Sequence, residues 1–199
     1  TGGELSFATL MKRSAQFANF LKAQGIGKGD RISALLTRTP ELMIAVLGAL
    51  RAGAVYQPMF TAFGPGAIEY RVQKADTKLI ITNPEQWAKL AEVNGLPMIM
   101  LVAEDDHELA HEADFLFQPT LDKQSDLFEP VKIGPEGPFL QMFTSGTTGK
   151  SKGVTVPAKT GVQQQFVDVL QADVLAVDGI FTCAAAVVPA ADVHFLGVH

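Results

Sequence analysis

The sequence predicts an α/β fold: a layered arrangement of mostly parallel sheets and flanking helices. Three observations carry this. Between residues 6 and 103, short apolar runs alternate with helix-like segments, the pattern of strands joined by crossover helices. Helix boundaries are written into the chain: Thr39-Pro40-Glu41 supplies an N-cap, a proline at the first helical position and an acid in the first turn. Of the 199 residues, 47% are hydrophobic and 19% charged, enough to build a sizeable core.

In order, residues 6–24 read as an amphipathic helix with Leu10, Ser14, Phe17 and Leu21 on one face and Gly25 as C-cap. "GIGKGD" is a turn, "RISALLT" (31–37) a strand, and 40–52 a helix apolar nearly all round, hence buried, that ends at Gly53. "AVYQP" is the next strand, "GPGAIEYRVQKA" a helix, "KLIIT" (78–82) a strand, 84–93 a helix and "PMIMLVA" (97–103) a strand. Residues 121–138 are polar with three prolines and read as a surface connection. The expected organisation is a first subdomain over 1–120, this connection, and a loop-bearing segment over 139–199 that begins a second subdomain.

The net charge of −5 leaves no basic field to attract nucleic acid or anionic lipid, so any bound anion must be held by local geometry. A single cysteine, Cys183, excludes an intrachain disulfide framework and fits a reducing cytoplasm; its apolar surroundings read as those of a buried, inert thiol. No apolar run approaches the ~18 residues of a membrane span, and the start of the chain lacks a signal-peptide pattern. A first residue other than Met and an uncapped end at "HFLGVH" read as a fragment.

The densest chemistry lies in "FTSGTTGKSKGV", residues 143–154: five hydroxyls, three glycines and two lysines in twelve positions. It is not a Walker A loop. That motif needs a glycine at 144, where Thr144 stands, and opens into a helix, whereas Gly153 and Val154-Thr155-Val156 favour extended chain. The loop is predicted to join two strands, "FLQMF" and "GVTV". Gly146 and Gly149 can adopt positive φ and expose amides; Thr144, Ser145, Thr147 and Thr148 add hydroxyl donors, and Lys150 and Lys152 add charge. In an acidic protein such a concentration of donors reads as a phosphate clamp.

This segment resembles the phosphate loop of the adenylate-forming (AMP-binding) enzymes, which include acyl-CoA synthetases, luciferases and peptide-synthetase adenylation domains. Their pattern is an aromatic residue followed by T-S-G-[ST]-T-G-x-P-K-G-V, and the chain departs from it at Ser151, where the family usually has proline. "LKAQGIGKGDRIS", "RTPELMIAVLGALRAGAVYQPMF" and "GPGAIEYRVQKADTKLIIT" are also similar to family segments. The likeness spans about residues 4–103 and 139–157, and "YQPMFTAFGP" is most similar to the branch acting on acetate and other short or medium acyl groups. "AADVHFLG" resembles a segment of that branch that enters the acyl pocket, which makes His194 a candidate for its wall.

The resemblance implies an ATP-dependent carboxylate–CoA ligase that forms an acyl-adenylate and then an acyl-CoA, releasing pyrophosphate and AMP. Its substrates would be a small carboxylic acid, ATP carried with Mg²⁺, and coenzyme A. Thr144, Ser145, Gly146, Thr147, Thr148, Gly149 and Lys152 would hold the nucleotide phosphates. No catalytic residue is assigned within the 199 positions: the family's adenine-contacting Y-G-x-[ST]-E, its ribose-binding T-G-D and its C-terminal lysine are absent, so these residues alone are expected to be inactive. The alternative from another class is a non-catalytic nucleotide- or phosphate-binding module.

A remoter alternative is zinc at "HELAH". On a helix His107 and His111 would share a face, with Glu108 as a base, but "EDDHELAHEAD" is polar all round, a third histidine is lacking, and a solvated acidic helix explains it. Trp87 reads as a packing anchor, the phenylalanines as core, and the methionines as filler.

Overall fold

A computed structural model describes residues 5–144 and 151–159. Cys183 lies outside them, as does everything after Lys159.

Helix α1, Phe7–Ala23, begins at Ser6, whose Oγ accepts from the Thr9 amide at 3.1 Å. It ends as Gly25 turns to φ +73°, and the Ile26 amide closes the cap on the Leu21 carbonyl at 2.9 Å. Strand β1, Arg31–Leu35, leads to α2, Pro40–Ala52, stopped by Gly53 at φ +73°. Thr39 occupies the N-cap of α2 with extended backbone, but its hydroxyl makes no capping bond, so the proline and Glu41 carry that start. Strand β2 (Val55–Pro58), α3 (Pro65–Ala75) and β3 (Thr77–Thr82) follow. Next come α4 (Pro84–Leu90), capped by the Asn83 side chain at the Gln86 amide, and β4 (Met98–Leu101).

The strand order is β5-β4-β3-β1-β2-β6-β7, where β5 is Phe115–Leu116, β6 Pro138–Thr144 and β7 Lys152–Pro157. Every pair is parallel except β6 with β7, which is antiparallel. The alternation of strand and helix in the sequence thus becomes one mostly parallel sheet covered on both faces. Ile32, Leu79, Ile81 and Met100 face a cluster with Phe17, Phe20 and Leu21 of α1, Ile44 and Ala45 of α2, and Phe117 of α5 (Phe117–Asp122). Ile80 and Ile99, one residue out of phase, face Ile68 and Val72 of α3 and Leu90 of α4, with Trp87 packed against them. Each such side chain, fully removed from water, stabilises the fold by roughly 1.5–3 kcal/mol.

A cluster of polar side chains is buried in the middle of the sheet. Gln57 on β2 is fully covered; its Oε1 accepts from Ser33 Oγ of β1 at 3.1 Å and Thr77 Oγ1 of β3 at 2.8 Å, and its Nε2 donates to the Arg71 carbonyl of α3 at 3.4 Å. Three strands and a helix therefore meet on one amide, whose oxygen accepts two hydrogen bonds and whose nitrogen donates one. Tyr56, next along β2, is largely buried, and desolvation pushes its phenol up to about 12, so it stays protonated.

Residues 123–137 carry no helix or strand. They are tied down nonetheless: Asn19 Nδ2 of α1 donates to the Ser125 and Leu127 carbonyls at 2.8 and 2.9 Å, and the Val131 amide donates to the Arg51 carbonyl at 2.8 Å.

At "HELAH" the structure differs from the helix expected from sequence. Only a single 3₁₀ turn, Glu108–His111, forms. His107 stands before it as N-cap, and its Nδ1 accepts from the Leu109 amide at 3.2 Å. Asp114 caps the sheet instead of extending a helix: its carboxylate accepts from the Ile99 amide at 2.7 Å. The α-helical spacing that brings residues i and i+4 together is not present here.

Candidate functional site

The described flanks of the segment singled out in the sequence, Thr144 and Lys152, lie at the carboxyl ends of the parallel strands. Because β6 runs parallel to β2, Thr144 leaves the sheet on the same edge as the loops that follow β1 and β2. Ligand crevices of open α/β sheets form at this edge, where the strands end and the connections diverge.

The predicted pair of strands is present. Thr144, the last residue of β6, pairs directly with Lys152, the first of β7, and the seven residues 145–151 bridge them. Thr144 and Lys152 are both exposed at the mouth of this hairpin. Of the other residues predicted to bind phosphate, Ser145, Gly146, Thr147, Thr148 and Gly149 lie outside the described residues, as do Lys150 and the pocket candidate His194.

The base of the hairpin is built from aromatic rings that pattern reading assigned elsewhere. Phe143 is opposite Gly153 in the ladder, and a Cβ on that glycine would stand 3.3 Å from the Phe143 ring and 2.9 Å from Gln141 Nε2. Glycine here leaves room for the ring to lie across the strand pair. Tyr70 of α3 meets Phe143 edge-on, centroids 6.2 Å apart at 74°, and its hydroxyl donates to the Ser151 carbonyl at 2.8 Å. The Arg71 guanidinium sits 4.1 Å from the centroid of Phe63 and 5.6 Å from that of Phe143, steadied by donation to the Ala67 carbonyl at 2.8 Å. Phe60 meets Phe63 edge-on at 5.4 Å. With Pro58 and Met142, these rings and the arginine line a small hollow beside the hairpin.

Sequence reading placed all the phenylalanines in the core. Phe60, on the loop after β2, is 65% exposed, and Phe7 at the start of α1 is 45% exposed. The signal available was positional: "MFTAF" follows the end of a strand and precedes a helix, so neither period applies to it. Tyr70 and Arg71 were not singled out from the sequence, where they are two positions of one predicted helix. Lys89 of α4 reaches across to the Thr61 carbonyl and to Gln86 Oε1 (2.8 Å), holding the phenylalanine-bearing loop against the second face.

A larger hollow, about 440 Å³, lies at the opposite edge of the sheet between α1, the turn before β1 and the 123–137 connection. It is lined by Asn19, Lys22, Lys28, Leu127 and Glu129 among others and contains none of the predicted site residues. Proximity to the strand ends and to the hairpin decides between the two, not size. Among the described residues no group of three or more His, Cys, Asp or Glu side chains comes together. Nor, among them, is any helix long and apolar enough to cross a membrane.

Comparison with known proteins agrees with this geometry. A family model described as "AMP-binding enzyme" matches residues 1–191. The acetyl-coenzyme A synthetase of Sodalis glossinidius (strain morsitans) is 30% identical over 167 residues, covering 75% of this chain and 26% of that protein. The crystal structure of an acyl-CoA synthetase from Brucella canis superposes with a TM-score of 0.73 at 43% identity, over 79% of this chain and 28% of that one. ATP-bound MatB from Rhodopseudomonas palustris shares the fold, with a TM-score of 0.69 at 24% identity over 94% of this chain and 38% of that one. The chain spans about a quarter of the length of the curated relatives it matches.

Proposed function

The chain belongs to the AMP-binding enzyme family, and from that premise we propose that it supplies the phosphate-gripping part of an AMP-forming carboxylate–CoA ligase acting on a small carboxylic acid. The observation that carries the reading is the antiparallel hairpin closed by Thr144 and Lys152 at the carboxyl edge of a parallel sheet. Similarity to acetyl-CoA and acyl-CoA synthetases supports the reaction class.

A carboxylate is a poor electrophile, because its charge repels nucleophiles and its oxide is a poor leaving group. In the proposed reaction a carboxylate oxygen attacks the α-phosphorus of ATP, the bond to the bridging β-phosphate oxygen breaks, and pyrophosphate departs. The thiol of coenzyme A then attacks the acyl carbon, loses its proton, and AMP leaves. The hairpin serves the first step. Hydroxyls and amides of Thr144, Ser145, Gly146, Thr147, Thr148 and Gly149 would hold the β- and γ-phosphates, and Lys152 would offset charge that builds on the leaving group. Magnesium would arrive on the phosphate oxygens and neutralise part of their charge. Cytoplasmic placement goes with this reading and with the lone Cys183.

The test is ATP–pyrophosphate exchange by the full-length gene product, screened over short, medium and aromatic carboxylic acids. One or more acids should support exchange, and Thr147→Ala should lower it by roughly ten- to a thousandfold, as loss of an oxyanion donor does. ATP binding without exchange for any acid would favour a non-catalytic nucleotide module instead. A Thr147→Ala change under twofold would remove the loop from the mechanism.

A further inference from the structure

We propose that Tyr70 is the positioning residue of this hairpin: from α3 it grips both ends of the 145–151 loop and so sets where the loop's phosphate donors stand. The inference rests on the phosphate-loop reading above and adds a residue to it.

The contacts fall on the two flanks of the loop. On one side, the Tyr70 ring packs edge-on against Phe143, the residue immediately before Thr144. On the other, its hydroxyl donates at 2.8 Å to the carbonyl of Ser151, the residue immediately before Lys152. Thr144 and Lys152 are themselves paired. One side chain therefore touches β6 at Phe143 and the residue just ahead of β7 at Ser151, and it is half-buried, so the bond is partly shielded from water.

The platform behind it is fixed. Ile68 and Val72 of α3 are buried in the second core cluster, and the next residue's carbonyl, Arg71, accepts from buried Gln57. Arg71 closes the arrangement from the same helix turn, against Phe63 and Phe143. Holding backbone in place around an anion costs conformational entropy, and fixing the Ser151 carbonyl to a packed helix lowers that cost before the nucleotide arrives. Tyr70 takes hold of a backbone carbonyl, so the grip does not depend on the side chain at 151.

Tyr70→Phe in the full-length gene product keeps the ring and deletes the hydrogen bond. One such bond is worth about 0.5–1.5 kcal/mol, so the KM values for ATP and for pyrophosphate in exchange should rise about two- to twelvefold. The KM for the carboxylic acid should hold, and thermal midpoint should stay within about 3 °C. Ser151→Ala should leave every one of these unchanged. Nucleotide constants within twofold of wild type for Tyr70→Phe, with Thr147→Ala impaired, overturn the role of Tyr70 and leave the ligase reading standing; so does a loss of stability alone. Insensitivity of both variants overturns the two together. In the wild-type protein, ATP should slow hydrogen exchange in peptides covering 66–75 as well as 141–155, and protection confined to the hairpin would equally refute the grip.

Discussion

Phe143 lies across Gly153, its partner in the ladder, so closely that one added carbon would meet the ring at 3.3 Å. Intrinsic strand preference favours a β-branched residue there by up to ~1 kcal/mol. Crowding acts the other way: the Gln141 amide can swing aside, but the ring is backed by Tyr70 and cannot retreat without moving the hairpin base. Gly153→Val should therefore lower stability by about 1–3 kcal/mol and weaken pyrophosphate use in exchange, with Gly153→Ala milder on both counts. Urea unfolding alongside exchange kinetics measures this; a Val variant as stable and active as wild type would show that the ring is free to move.

Gly48 marks where α1 and α2 cross. A Cβ there would stand 2.6 Å from Phe17 Cδ1 and 2.9 Å from the Ser14 carbonyl oxygen. Alanine is better than glycine inside a helix by ~1 kcal/mol, yet a backbone oxygen cannot step aside and Phe17 is fully buried. Overpacking should win, with Gly48→Ala less stable by about 1–3 kcal/mol and Phe17→Leu restoring part of that in the double variant. A gain in denaturation midpoint for Gly48→Ala alone would mean the helices can separate at no cost.

Gln57→Leu removes the acceptor shared by two buried hydroxyls, those of Ser33 and Thr77. A stranded hydroxyl costs about 1–3 kcal/mol, so the single change should destabilise by about 2–4 kcal/mol in chemical unfolding. Replacing all three polar residues together, Gln57→Leu with Ser33→Ala and Thr77→Val, should recover most of the loss. If the triple variant is no better than the single one, the hydroxyls were never dependent on the glutamine.

Asp76 ends α3 in the left-handed region at φ +51°. Lys78, hydrogen-bonded to it at 2.8 Å, holds its carboxyl below the usual carboxylate range, and Arg31 adds a smaller pull. A depressed folded-state pKa contributes stability above the unfolded value of about 3.9, and that contribution is lost as pH falls through the folded value. Asp76→Asn, which tolerates the same backbone, should be slightly less stable than wild type near pH 7, and the gap should close as the pH falls through the depressed folded value. Thermal midpoints across pH report it; a gap that widened on acidification would have the wrong sign.

Most of the architecture was legible because its signals are local. Ser6, Pro40, Gly53, Asn83 and Pro84 bound helices by chemistry confined to a few residues, and strand-helix alternation followed from runs such as "KLIIT" and "PMIML". The hairpin was legible for the same reason, since Gly153 and three residues of extended preference ruled out a helix after the loop. Tyr70, Arg71 and Phe63 were not. Their meaning lies in contacts with Ser151 and Phe143, some 70–80 positions away, and nothing in α3 alone marks which of its outward side chains faces a neighbour. At 104–114 the acidic run resembled a helix, but His107 and Asp114 turned their side chains to backbone amides and left one 3₁₀ turn.

Strands that are oily on both faces carry a hazard of their own, because sliding one past another by two residues keeps every greasy side chain facing grease. The buried glutamine of β2 makes such slips detectable. Ser33 is its direct neighbour in the ladder, and only one alignment brings that serine and Thr77 to the same amide. A misaligned sheet would have three thirsty groups sealed in hydrocarbon, a defect of several kcal/mol in a molecule held together by about ten. Newly made chains that mispair in the middle of the sheet should consequently let go and try again.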